Sequence, residues 1–161
     1  MDINRLTIEL DNLANEGRVG EITPFLLDRL KTAEQEGDVS AMLFILNELI
    51  GINREMCLHS DALGYGSTAL KLIKGAGLEG SIHHATTMLN IANALRAAGH
   101  LKDSLSTYRQ GEDLYAKLLK PNDFNYASLY NNESLLYQEM KSYRERIPES
   151  AMFRWTEAPR R

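Results

Sequence analysis

One cysteine, four prolines and one tryptophan occur in 161 residues, and aromatic side chains make up only 7%. The single thiol, Cys57, excludes an internal disulfide and a cysteine-rich zinc site, and it fits a reducing compartment. No apolar run approaches the ~18 residues that a membrane-spanning helix needs. The opening Met1, Asp2, Ile3, Asn4 and Arg5 lack the basic-then-apolar layout of a secretory leader, so a cytoplasmic location is expected. Charge of one sign is missing too: 18 basic against 22 acidic residues leave −4, no electrostatic footprint for nucleic acid or an anionic membrane. β-Branched residues are sparse, and no alternating run is long enough for a useful strand. What remains, 43% hydrophobic and 25% charged residues, is the balance of a single folded domain with its own core.

Helical spacing fills the chain. Ile3, Leu6, Leu10 and Leu13 fall three or four apart and predict a first helix that stops before Gly17. Thr23 and Pro24 read as the N-cap and first position of a second, carrying Phe25, Leu26, Leu27 and Leu30 and ending before Gly37. A strongly apolar third helix is expected over about 39–58, with Leu43, Leu46, Leu49 and Ile50 inward. A fourth follows over about 60–76, a fifth opens at Ser81 and closes at Gly99, and a sixth covers 102–120. Pro121, Asn122 and Asp123 start a seventh that ends near Lys141. Connections this short make sequential helices antiparallel neighbours.

The helices repeat. Slid by 42 residues, Ala62 falls on Ser104, Ala69 on Gly111, Leu46 on Met88, Leu49 on Ile91, Leu72 on Leu114 and Ala85 on Ala127. Small residues recur where helices must cross closely, and bulky ones lie between them. Such repetition of a helix pair marks an α-solenoid. The order Ala92, Leu95, Gly99, Leu101, Ser104, Tyr108 and Gly111 resembles the tetratricopeptide repeat. The longer period, and the run 121–137 with its Asn131, Asn132, Leu136 and Tyr137, resemble the kinesin-light-chain type of that repeat. His84, Ala85, Asn90 and Leu95 repeat the likeness one unit earlier. The resemblance implies an all-α solenoid of antiparallel hairpins in a right-handed superhelix of about seven helices. Its hairpins would cover about 2–37, 39–78 and 81–120, with a half repeat at 121–143 and a tail or cap at 144–161. Two departures stand out: Gly66 occupies a position where the second helix of a hairpin usually has an aromatic, leaving a gap for a neighbour to fill, and Pro148 would break a further helix.

Catalytic and metal chemistries find little support. Glu55 and His59, and Glu79 and His83, have helical i,i+4 spacing, but no Glu-x-x-His or His-Glu-x-x-His pattern occurs. His83 and His84 point about 100° apart on one helix. Cys57 has no neighbouring base on its own face and reads as a buried or half-buried thiol. The glycines around 64–66 and 75–80 lie in or at the end of helices, not in a strand-to-helix phosphate loop. No catalytic residue, metal or cofactor is expected.

The inner surface is the constellation that points to a function. Comparable inward positions read Asn47 with Glu48, Leu89 with Asn90, and Asn131 with Asn132; one turn further come Arg54, then Asn93 and Arg96, then Gln138. Asparagine is a poor helix-interior residue, so its recurrence on one face requires a reason. Amides can hold the backbone of an extended peptide without reading its side chains. The resemblance implies that role for Asn90 and Asn132, and for Asn47 and Asn131, while Arg54 and Arg96 supply a positive rim for an acidic ligand. The alternative is that these asparagines bond across neighbouring helices and only set the repeat spacing. A chaperone-type carboxylate clamp is disfavoured, because Ser128 and Asn132 stand where its basic pair belongs.

The expected function is therefore a non-catalytic interaction module for a protein or peptide, with a regulatory domain serving an enzyme outside this chain as the alternative. For the tail, with Met152, Phe153 and Trp155, three readings stay open: a cap folded over the seventh helix, a homodimer contact at the C-terminal end, and a link to further chain.

Overall fold

The computed structural model describes residues 1–120 and 123–146, the side chains of 143–146 excepted. Seven helices and no strand are found among them: α1 (Ile3–Asn15), α2 (Val19–Glu36), α3 (Val39–Glu55), α4 (His59–Gly75), α5 (Ile82–Ala97), α6 (Leu101–Leu118) and α7 (Asn125–Arg146). Each packs on the next, as expected of a helical-repeat solenoid. In addition α3 packs on α5 and α5 on α7, with no comparable contact between α4 and α6. α3, α5 and α7 thus form one layer in direct contact, and α4 and α6 a looser one.

The same local chemistry recurs in each hairpin. Asp2, Asp38 and Ser81 cap α1, α3 and α5 by accepting a backbone N–H three residues on. α2, α4 and α6 have no such cap. They follow three-residue turns, 16–18, 56–58 and 98–100, in which the middle residue is left-handed: Gly17 (φ 73°), Cys57 (φ 59°) and Gly99 (φ 80°). In every turn the middle N–H donates three residues back and the next N–H five back, as Cys57 to Arg54 O and Leu58 to Asn53 O do. These Schellman turns satisfy carbonyls that the helix end would otherwise leave free. Cys57 therefore occupies a glycine slot, and its thiol is exposed, correcting the expectation of a buried one. Without a glycine to mark the stop, the third helix was expected to run on to 58, whereas it ends at Glu55.

A second correction concerns Thr23 and Pro24. α2 begins at Val19, straight from the Gly17 turn, and Pro24 lies inside it. The proline removes only the bond to the Gly20 carbonyl, near the exposed start of the helix where water can replace it. Leu26 is buried, and Leu27 next to it faces solvent.

The 42-residue register is written in the burial. Ala62 and Ser104 are both fully buried, as are Ile45, Thr87 and Leu129 at the same step, and Ala94 with Leu136. Ala127, matched to the buried Ala85, is exposed, because it lies on a side of α7 that no described helix covers. Gly66 shows what fills the expected gap. A Cβ there would come within 2.7 Å of Ile91 Cγ1, so Ile91 of α5 occupies the space an aromatic would have taken. Gly111 likewise admits Leu89, at 2.8 Å from a would-be Cβ. The core is built as one cluster over α1–α4 and another over α5–α7, joined by a seam of Ile50, Ala62 and Ala94 with Leu63, Tyr65 and Ile91. No described helix is long and apolar enough to cross a membrane.

Candidate functional site

The layer of α3, α5 and α7 carries all the residues expected in a groove. α3 is positioned by its apolar run, with Leu43, Leu46, Leu49 and Ile50 at 1% exposure or less. That burial leaves Asn47 half-buried at the edge facing α5. Its amide nitrogen donates to Leu43 O (2.8 Å) and to Thr87 Oγ1 of α5 (3.1 Å), and its oxygen accepts from Asn90 Nδ2 (2.9 Å). Asn47 is fully employed, and Asn90 is tied to it by one N–H. These two asparagines hold α3 and α5 at a fixed spacing, one of the two roles their recurrence admits.

The next repeat differs. A step of 42 residues carries Asn47 to Leu89 and Asn90 to Asn132. Leucine offers no oxygen, so the partner that holds Asn90 has no counterpart for Asn132. Among the described residues Asn131, Asn132 and Gln138 have no hydrogen-bond or charged partner. Asn132 is half-buried, whereas Asn131 and Gln138 are exposed. Gln138 lines a shallow open depression on α7 with Tyr130, Glu133, Ser134, Tyr137 and Lys141.

Asn93 is a correction. It is 7% exposed and accepts a hydrogen bond from the hydroxyl of Tyr108, itself wholly buried on α6. It faces its hairpin partner, not the open layer, and its amide satisfies the phenol that the repeat pattern places there. Burial raises the Tyr108 hydroxyl above its ordinary range, against the opposing pull of the Arg96 and Arg54 guanidiniums. Both guanidiniums therefore lie near enough to Tyr108 to oppose that shift.

Their partners separate them. Arg54 pairs with its neighbour Glu55 at 3.1 Å, a largely exposed contact of little strength. Arg96 reaches across to Glu139 on α7, and its Nε is buried without a partner. At the other end of the layer Glu48 is held above the usual carboxylate range by desolvation first, then by the carboxylates of Asp11 and Glu55. The open face thus runs from acidic beside α1, through two guanidiniums, to free amides on α7. Thr87 and Glu139 went unnoticed in the sequence, and Tyr108 was read there only as a repeat position. A usable signal existed for Glu139, which follows Arg96 by 43 residues, the same separation as Asn47 and Asn90.

Among the described residues no group of three or more histidine, cysteine, aspartate or glutamate side chains is placed to hold a metal ion. Compared with protein-family models the chain matches none, and no curated protein matches it.

Proposed function

We propose that this chain is a non-catalytic interaction module of tetratricopeptide type that holds an extended protein segment along the layer of α3, α5 and α7. The observation that carries the reading is the contrast between repeats. Asn47 spends its amide on Leu43, Thr87 and Asn90, and Asn90 is tied to it by one N–H. Among the described residues Asn131 and Asn132, in the same rows, have no partner and keep their amides for a ligand. Such amides supply donor and acceptor to a peptide backbone, and the packing of α7 on α5 and α6 holds them in place before docking, so little entropy is lost. Arg54, weakly paired, adds a positive contact for an acidic side chain.

For Asn47 and Asn90 themselves the structural reading is favoured, because their hydrogen bonds run between helices. The test uses Asn132→Ala and Arg54→Ala in the full chain against a library of extended peptides. Both variants should weaken the peptides that wild type selects, and Arg54→Ala should do so more at low salt than at high salt. Unchanged selection by both variants refutes the groove.

A further inference from the structure

The ion pair between Arg96 and Glu139 has a consequence for ligand binding. Arg96 lies on the row that continues from Arg54 at a step of 42 residues, yet only Arg96 meets a carboxylate from the next odd-numbered helix. The residue 43 positions beyond Arg54 is Ala97, so no acid crosses from α5 to α3. Glu139 is 44% exposed and could swing out without unpacking α7, whose hold comes from Tyr126, Leu129 and Leu136. Arg96 is 20% exposed, less than half as exposed as Glu139, so Glu139 is the partner freer to leave.

We infer that Glu139 acts as a built-in competitor, occupying on Arg96 the place that a carboxylate of an acidic peptide takes on binding. The proposal rests on the groove reading above and adds regulation to it. A bound acidic side chain pairs with Arg96 in place of Glu139, and the affinity seen in wild type is lowered by the cost of that exchange. A partly exposed ion pair holds weakly, so the penalty amounts to about three- to fivefold in affinity.

The probe is a fluorescein-labelled decapeptide of alternating glutamate and serine, with its glutamine–serine counterpart as neutral control, titrated by anisotropy at low salt into the full chain. Glu139→Gln should bind the acidic probe about three- to fivefold tighter than wild type and leave the neutral control unchanged. The gain should vanish in Glu139→Gln combined with Arg96→Gln. Amide hydrogen exchange of α7 in Glu139→Gln checks that the helix stays docked, and full loss of its protection overturns the proposal. If Arg96→Gln weakens the probe and Glu139→Gln does not strengthen it, the competitor role fails and the groove stands. If no variant binds, or all bind alike, both fail.

Discussion

Cys57 offers a direct measure of the backbone logic of this fold. It sits at φ 59°, in the turn where Gly17 and Gly99 hold the equivalent positions of the other hairpins. Left-handed backbone costs a residue with a Cβ roughly 1–2 kcal/mol. Replacing cysteine by glycine removes that strain but loosens the unfolded chain, which returns about 0.4–1 kcal/mol of the gain. The thiol is exposed, so almost no buried surface is lost. The net expectation for Cys57→Gly is a stabilisation of about 0.5–1 kcal/mol. In a domain of this length that is a rise in melting temperature of about 1–4 °C.

The measurement is urea denaturation with the slope held equal between variants, so that a shift in midpoint reports stability alone. Cys57→Ala separates backbone from thiol: it keeps the strain and should lie within about 0.5 kcal/mol of wild type. Gly99→Ala is the mirror experiment. No atom lies within 4 Å of the Cβ it would add, so its expected loss of about 1 kcal/mol is purely conformational. A Cys57→Gly variant no more stable than Cys57→Ala would refute the assignment of position 57 to the glycine slot.

Three further outcomes follow from contacts already described. Gly66→Ala pushes a methyl into Ile91 and should cost about 1–3 kcal/mol, with Ile91→Ala recovering part of it, so the double variant is less destabilised than the sum of the singles in denaturation. A double-mutant cycle of Asn47→Ala and Asn90→Ala should show a coupling of about 0.5–1.5 kcal/mol, and additive losses would mean the amide pair does not hold α3 to α5. Glu48 has a raised carboxyl, which binds its proton more tightly folded than unfolded, so its contribution is lost as pH rises through the carboxylate range. Glu48→Gln should therefore gain stability over wild type above that range and not below it, as followed by melting temperature against pH.

Much of the fold was legible because its determinants are local. Helix periodicity at Leu6 and Leu10, and glycines at 17, 37 and 99, state where a helix lies and where it stops without reference to anything distant. The failures share a cause: a residue did a job usually given to another. Cys57 closed a helix in place of glycine, and Pro24 sat within a helix in place of opening one. Composition rules describe preferences, and a stable domain can absorb one or two violations of about 1 kcal/mol each.

The proposed groove was only half legible for a geometric reason. Equivalent residues repeat every 42 positions, but two polar contacts across the α3–α5 and α5–α7 boundaries join residues separated by 43, Asn47 with Asn90 and Arg96 with Glu139. Aligning the repeats therefore identifies which residues share a row and conceals which residues meet. Whether a given asparagine is spent inside the molecule depends on the residue standing one position before its equivalent in the preceding helix. For Asn90 that residue is Asn47, which accepts its N–H; for Asn132 it is Leu89, which cannot. One substitution tests the rule: Leu89→Asn should capture the Asn132 amide and weaken peptide binding, though Leu89 also fills the space beside Gly111. Leu89→Met, which keeps the packing volume and offers no amide, is the control, and it should leave binding unchanged. Equal binding by Leu89→Asn and Leu89→Met would show that the amide of Asn132 is not what a ligand uses.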